Sequence, residues 1–351
     1  MKALLLVFLS VFSWNVVSAQ GCDIFAAIKA AEPTQVQACI DAKADLSATD
    51  AKGRTPLIAA VAADGGMVVP ERQKKIVQAL IAAGADVNAT DDRGYAALHY
   101  ASYQGAYDLI ALLLTAKADA NLKNPAEESP LLLAARGPLM DDGRLRTFTL
   151  LLHAGSDVRL ADTAGRTALH LLCAHRARLE SPDDADIMVL RLADSLQKHG
   201  ADLRALDSRG NSSFSNAMQE GHVLTATWLL DKGASALAQP LADYTALHLG
   251  TERGDIGMID RVLKAGIDIN RTTNAKHQAQ GKSYFFPKGS TPLDQALIAE
   301  HECKDPNDAK AWKALGNAIA QRGGISKTFE EYVKGFKAVK GGSRPMPSKI
   351  R

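Results

Sequence analysis

The chain has 351 residues, and its 46% of hydrophobic residues provide enough apolar side chains for a sizeable core. Aromatic residues make up only 5%, so this core has to be built from Ala and Leu, which favours short, closely packed helices over one large globular interior. The formal net charge is +2, and the tail after Gly324 holds seven basic and two acidic residues. The rest of the chain is therefore acidic, which argues against nucleic-acid binding.

Residues 1–19 have the pattern of a signal peptide. A positive charge at Lys2 precedes an apolar run, and the small residues at 17–19 predict cleavage before Gln20. We therefore expect export to the periplasm and no membrane-spanning segment in the mature chain. An uncleaved anchor is the alternative, although the run is short for a span of about 20 residues. Lipid attachment at Cys22 is disfavoured, because the residues before it fit the lipoprotein pattern poorly.

From residue 23 onward the sequence repeats a two-part phrase. Most copies begin with Thr or Ser followed by Pro or Ala, which is helix-start chemistry: the hydroxyl caps an orphan N–H, and Pro loses nothing at the first position. Each copy closes on Gly-Ala-Asp or a variant of it, in which Gly takes the left-handed conformation that ends a helix. The separation between this closing residue and the next core Leu or Phe is constant in six of seven copies, as from Gly84 to Leu98. The phrase starts at Thr55, Ala96, Ser129, Thr167, Ser212, Thr245 and Thr291.

This phrase, with its period of about 33 residues, resembles the ankyrin repeat, and the resemblance covers residues 23–323. It implies an all-α repeat solenoid of stacked helix-turn-helix units joined by short β-hairpin turns, with about eight units including degenerate terminal ones. It also implies structural hydrogen bonds from the histidine of the helix-start phrase, present as His99, His170 and His248. Stacks of this kind present an extended binding surface, so the resemblance implies a protein partner.

Export makes disulfides available, and the chain has four cysteines. Cys22 and Cys39 lie on two successive helices of the first unit, where a disulfide would fasten the exposed end of the array. The alternative is that both are small buried thiols. Cys173 and Cys303 lie several units apart, so we do not expect them to meet.

Three units carry extra residues between their two helices, at 65–70, 137–143 and 176–185. Insertions in a solenoid map to loops and often to the working face, but surface turns also tolerate growth at little cost. Both interpretations remain open for each insertion.

The turn before Leu293 is different, because it is much longer than the other turns and holds three consecutive aromatic residues. Exposed aromatic side chains mark interfaces, so we predict that this turn binds a partner protein. The alternative is that the aromatic side chains fold back over the last unit. The predicted binding residues are Lys282, Tyr284, Phe285, Phe286 and Lys288.

At the end of the chain, a capping box at residues 328–331 precedes apolar residues at helical spacing. The sequence thus predicts a signal peptide over 1–19, an ankyrin-like repeat domain over 20–323, a capping helix over 324–340 and a disordered tail over 341–351.

Candidates for catalysis or metal binding are few. Cys173 has His170 and His175 near it in sequence, but a nucleophilic thiol needs a free base and an oxyanion hole. His170 belongs to the helix-start phrase, and Cys173 falls at a packing position. His301 and Cys303 lack two further metal ligands at useful spacing. We therefore expect no catalytic residue, no metal and no cofactor.

The sequence predicts an exported, monomeric interaction module that binds, protects or inhibits a periplasmic partner protein through its concave face and hairpin loops. A narrower alternative is an inhibitor or immunity protein of a cell-wall hydrolase, a role found among the periplasmic ankyrin proteins that the chain resembles. An alternative of another class is a cysteine-dependent hydrolase built on the repeat array.

Overall fold

The fold is described from a computed structural model, which covers residues 22–63, 70–137, 142–175, 182–220, 222–234, 246–254, 256–264, 268–270, 272, 277–278, 285–287, 289–303 and 305–330. Within these residues the helices form eight successive pairs, one pair to each repeat unit. The first helices of the units are α1 (Ile24–Lys29), α3 (Pro56–Ala62), α5 (Ala97–Gln104), α7 (Pro130–Arg136), α9 (Ala168–Cys173), α11 (Ser213–Glu220), α13 (Ala246–Arg253) and α15 (Pro292–Glu302). The second helices are α2 (Pro33–Asp41), α4 (Glu71–Ala82), α6 (Tyr107–Thr115), α8 (Asp142–His153), α10 (Pro182–Lys198), α12 (Val223–Asp231), α14 (Ile256–Lys264) and α16 (Pro306–Gln321).

The helix pairs stack into two layers. First helices pack against the first helices of neighbouring units, second helices pack against second helices, and the two helices of a unit contact each other. The buried apolar residues between the layers form one continuous cluster from Ile24 to Ile319. The predicted all-α repeat solenoid is therefore confirmed.

The helices start where the repeated phrase predicts. The hydroxyl oxygens of Thr55 and Ser129 accept backbone N–H groups three residues farther along, at Ile58 and Leu132. In both units a proline occupies the first helical position, where its missing N–H has no partner to lose.

The helices end on residues with left-handed backbone geometry. Gly84 has a φ of +87°, whereas Lys43 and Lys117 occupy the same position in their units with φ values of +59° and +69°. A side chain in this region crowds the following carbonyl. The backbone is therefore strained at these two lysines, whereas glycine avoids this strain in other units.

The turns between units are short hairpins. Isolated antiparallel bridges join Thr90 to Ala96, Ala161 to Thr167, and Leu206 to Ser212. In the long turn before α15, strand β1 (His277–Gln278) pairs antiparallel with strand β2 (Phe285–Phe286), with His277 opposite Phe286.

The extra residues of units two, four and five lie partly outside the described residues. Those that are described contradict part of the prediction, because α8 begins at Asp142 and α10 at Pro182. Residues 142–143 and 182–185 therefore extend second helices and do not lie between the helices. Proline at a first helical position and acidic residues in a first turn favour such an extension. As a result α10 has 17 residues, against nine in α6.

The first unit brings two cysteines together. Cys22, just before α1, is paired with Cys39 of α2 in the structure, with Cα atoms 5.3 Å apart. Cys39 has no exposed surface. Of the other two thiols, that of Cys173 is buried and that of Cys303 is half-buried.

At the other end of the array the chain folds back onto the last unit. The buried carboxylate of Asp294 in α15 accepts the backbone N–H groups of Lys327, Thr328 and Phe329 at 2.9 to 3.0 Å. Asn270 fixes the same segment by accepting from Ile325 N–H at 2.7 Å. Residues 327–329 are thus held on α15, and residues 324–328 are not helical. The predicted capping helix over 324–340 stays a prediction, because its remainder after residue 330 lies outside the described residues.

Close helix packing gives a first prediction. Ala101 is fully buried where α5 meets its neighbours, so Ala101→Leu should overpack this contact and lower the free energy of unfolding by about 1–3 kcal/mol. The exposed Ala126 lies in a hairpin, and Ala126→Leu should change it by less than about 0.5 kcal/mol. Urea denaturation of the two variants measures both values; equal losses would mean that the units are wrongly aligned.

A second prediction concerns the start of the mature chain and its first helix pair. If the chain is exported and Cys22 is bonded to Cys39, intact-mass analysis should show a start at Gln20 and a mass two hydrogen atoms below that of the fully reduced chain. Four thiols that react with an alkylating agent before any reduction would contradict the bridge. A retained Met1 would contradict export by cleavage.

Candidate binding surface

In units two to six each described hairpin is closed by one acidic or amide side chain. Its oxygen accepts the N–H groups two and four residues on, as Asp91 Oδ1 does from Arg93 at 3.0 Å and Tyr95 at 2.9 Å. Hairpins of one geometry stack on one another, which explains the constant separation between the end of one unit and the helix start of the next. The closing residues are Asp50, Asp91, Asn124, Asp162 and Asp207.

Arginines offset the charges of these carboxylates. Arg166 Nη2 lies 2.7 Å from Asp162 Oδ2, and Arg136 Nη2 lies 3.4 Å from the same oxygen. Burial favours the neutral carboxyl, but hydrogen bonds from Arg166 and from turn amides outweigh it and lower the pKa of Asp162. The hairpins therefore keep ionised carboxylates beneath the surface, with guanidinium groups outside them.

The histidines of the helix-start phrase link three of the units to the hairpin that follows each of them. His99 Nδ1 accepts the Ala96 N–H at 3.0 Å, and its Nε2 lies 3.0 Å from the Leu122 carbonyl oxygen. His170 and His248 place Nε2 at 3.2 and 3.0 Å from carbonyl oxygens of the following hairpins. Since Nδ1 of His99 accepts, the hydrogen-bond network assigns the proton to Nε2.

A group of aromatic and arginine side chains lies on the face formed by first helices and hairpins, which is the concave face in such a stack. We call this group the tyrosine–arginine patch. It surrounds an open depression of about 350 Å³ at the contact between units three and four, with His99 at its base. The patch consists of Arg93, Tyr95, Tyr100, Tyr103, Leu133 and Arg136.

Two of the three tyrosines are fixed by their hydroxyl groups. Tyr100 donates to Asp91 Oδ2 at 2.6 Å, and Tyr95 donates to Glu128 Oε2 at 3.0 Å. The two rings lie 5.7 Å apart between centroids, at an angle of 48°. Burial, followed by the hydrogen bond to Asp91, raises the pKa of Tyr100 to about 12. Both hydroxyls therefore stay protonated and hold the rings in place at neutral pH.

The third tyrosine is the most exposed of the three. Tyr103 is 48% exposed, while its neighbour Leu133 is only 4% exposed. Arg93 lies across the Tyr95 ring, with Cζ 5.2 Å from the centroid. A partner that covers Tyr103 would thus bury a large ring beside a positive charge.

Most of the predicted binding turn lies outside the described residues. Only the backbone of Phe285 and Phe286 is described, as strand β2, whereas Lys282, Tyr284 and Lys288 lie outside the described residues. The predicted partner-binding role of these five residues stays a prediction.

The environment of Cys173 opposes a nucleophilic role. The residue has no exposed surface, and burial, followed by the charge of Asp186, raises the pKa of its thiol. Nucleophilic cysteines need a thiolate and access to a substrate. His170, one of the two histidines near it in sequence, points its Nε2 at the Asn211 carbonyl oxygen.

The sequence interpretation missed the tyrosine–arginine patch, although a signal for it exists. Three of the chain's seven tyrosines fall within residues 95–103, and at helical spacing Tyr100 and Tyr103 share one face of α5. In a chain poor in aromatic residues, this cluster indicates an interface, as the consecutive aromatics at Tyr284 do.

Membrane-spanning helices and metal-binding clusters are both absent from the part of the chain that the structure describes. No helix there has the length and apolar character needed to cross a bilayer. No group of three or more His, Cys, Asp or Glu side chains there is arranged to hold a metal ion.

Comparison with known proteins identifies the repeat. A family model for ankyrin repeats, in three copies, matches residues 24–124. Similar proteins include ankyrin repeat and SOCS box protein 16 of Homo sapiens, 30% identical, with coverage of 58% of this chain and 40% of that protein. The B-cell lymphoma 3 protein homolog of Mus musculus is 27% identical, with coverage of 49% and 44%. The phosphocholine transferase AnkX of Legionella pneumophila is 26% identical, with coverage of 64% and 24%.

The chain spans less than half the length of these curated relatives. The similarity therefore carries over the repeat and not the activity that any relative is named for. Ankyrin repeats themselves imply a protein–protein interaction module.

The buried histidines give a third prediction, on pH. Burial lowers the pKa of His99 and His170 below the unfolded value of about 6.5. Their contribution to stability is therefore complete above about pH 6.5 and is lost as the pH falls below it, by up to about 1.4 kcal/mol per pH unit for each ring. The urea concentration at the unfolding midpoint should therefore decrease when the pH is lowered from about 7.5 to about 5.5.

Matched variants separate these rings from other titrating groups. The double variant His99→Gln, His170→Gln should have a lower midpoint at neutral pH and a smaller fall on acidification. His153→Gln, at an exposed residue of α8, should leave the fall as in the unaltered protein. An unchanged fall in the double variant would assign the pH dependence to other groups.

Proposed function

We propose that this chain of ankyrin repeats is an exported binding module that holds a periplasmic partner protein on its concave face and hairpin loops. The coarse part of this function, a protein–protein interaction module, follows from the repeat itself. Export is inferred from residues 1–19, in which a charged start and an apolar run end at a cleavage pattern before Gln20.

The observation that supports binding most directly is the exposed tyrosine–arginine patch on the concave face. Tyrosine and arginine are the residue types that, with tryptophan, dominate the energy of protein interfaces. The two anchored rings, Tyr95 and Tyr100, lose little freedom when a partner arrives. The adjoining Tyr103 exposes nearly half of its surface and has apolar area to bury.

The proposal includes two roles for the complex. Binding protects the partner, or it inhibits a partner such as a cell-wall hydrolase. Both use the same surface, and they differ in what happens to the activity of the partner once it is bound.

A hydrolase that uses Cys173 is the alternative of another class. The buried thiol, with its raised pKa, disfavours this alternative. We propose that the chain is not an enzyme and that Cys173 fills a packing position in α9.

The fourth prediction tests the module by capture. The mature chain from Gln20, immobilised and exposed to periplasmic extract of the native cell, should retain one partner protein in stoichiometric amount. The Cys173→Ser variant should retain the same amount, because the thiol packs and does not react. If no stoichiometric partner is retained, or if hydrolytic activity disappears in Cys173→Ser while the fold is intact, the binding-module proposal fails.

The same assay tests the long turn before α15. Deletion of residues 276–288 restores the regular separation between Gly266 and Leu293, so it should leave the thermal midpoint nearly unchanged and should weaken capture. The triple change of Tyr284, Phe285 and Phe286 to Ala should do likewise. A large loss of stability on deletion, or unchanged capture by the triple variant, would instead support the alternative that these aromatic side chains cover the last unit.

A further inference from the structure

We propose that the tyrosine–arginine patch binds an acidic side chain carried by an exposed segment of the partner protein. This inference rests on the proposed function and adds the chemistry of the partner. The acidic group lies between the guanidinium groups of Arg93 and Arg136, and the segment beside it covers the ring of Tyr103.

The charges of the patch are segregated by depth. The carboxylates of Glu128 and Asp162 have side chains only 5% and 3% exposed, while the Arg136 side chain that bonds to both is 39% exposed. Glu128 also accepts from Tyr95 and from the Asn124 amide. The buried carboxylates are thus satisfied from inside the protein, and the groups that meet solvent are guanidinium edges.

Arg93 adds a second guanidinium with donors to spare. Its side chain is exposed and lies over the Tyr95 ring. In the described part of the chain it forms no ion pair or side-chain hydrogen bond with a protein acceptor. An arginine stacked on a fixed ring is held in place while its N–H groups stay available to a carboxylate.

The shape of the patch suits a side chain and its flanking residues. The depression of about 350 Å³ is open to solvent, and its wall is formed by Tyr100, Leu133 and Tyr103. Since Tyr95 and Tyr100 are tied to buried carboxylates at 3.0 and 2.6 Å, the site is preorganised and needs little rearrangement to bind. The expected occupant is therefore a peptide segment in which a carboxylate contacts the two arginines and a neighbouring apolar residue contacts Tyr103.

Selection from a random peptide library on the immobilised mature chain tests the chemistry directly. Peptides retained by the unaltered protein should be enriched in Asp or Glu next to an apolar residue. Replacing the acidic residue of a selected peptide by its amide counterpart should weaken binding by about tenfold or more. Binding should also weaken as salt is raised.

Variants assign the effect to the patch. Tyr103→Ala should weaken binding of the selected peptide by about tenfold, and Arg93→Gln should weaken it and flatten its salt dependence. Neither side chain ties down a buried group, so both variants should keep the thermal midpoint. The matched controls are Arg209→Gln and Leu206→Ala, at exposed residues of the hairpin of unit six, which should bind as the unaltered protein does.

The results that overturn the inference are distinct from failure of the proposed function. Selected peptides without acidic enrichment, or equal binding by Arg93→Gln and Tyr103→Ala and the unaltered protein, would remove the acidic occupant. Binding of free succinate as tightly as the peptide would replace the protein segment by a small dicarboxylate. If a stoichiometric partner is still captured by the Arg93→Gln, Tyr103→Ala double variant, the binding module stands and its partner docks elsewhere.

Discussion

Hydrogen bonds from buried histidines join the start of a first helix to the hairpin of the next unit at three places along the array. His99 shows the arrangement, since its Nδ1 accepts from its own helix start and its Nε2 reaches the carbonyl oxygen of Leu122 in the following turn. A single unit cannot bury its helix faces, so its stability comes from contacts with neighbours. The histidine ties its own unit to the next one where those faces meet. Small residues such as Ala101 then allow the helices to approach.

Much of this fold could be predicted from sequence because it is local and periodic. Helix starts and ends depend on residues within one turn of chain, such as the hydroxyl before α3, the proline that starts α3 and the glycine that ends α4. The constant spacing of these residues therefore predicts where each unit begins and ends. The bounds of the long second helices could not be predicted in the same way. Residues 182–185 are compatible with a loop or with a helix start, and packing of α10 against α9 and α12 decides between them.

The candidate surface was harder to predict, because it is assembled across units. Tyr100 and Tyr103 are recognisable as one helix face, but their pairing with Arg136 requires knowing that α5 and α7 are neighbours. The fixing of Tyr95 depends on Glu128, which lies 33 residues away. A cluster of aromatic residues in the sequence indicates a candidate binding surface. The charged side chains around that surface are known only once the packing of the units is known.

The contact at Asp294 has a consequence for how the array could have grown. At this position three other units have a histidine that faces carbonyl oxygens of the next hairpin, as His248 does. The carboxylate of Asp294 instead accepts hydrogen bonds from N–H groups of the returning chain. A ninth repeat placed here would bring its hairpin carbonyl oxygens against the carboxylate oxygens of Asp294. These two sets of acceptor oxygens would repel each other. Gene duplication at this end could therefore lengthen the protein only together with a substitution at residue 294. The identity of residue 294 in the last unit thus limits the number of units in the array.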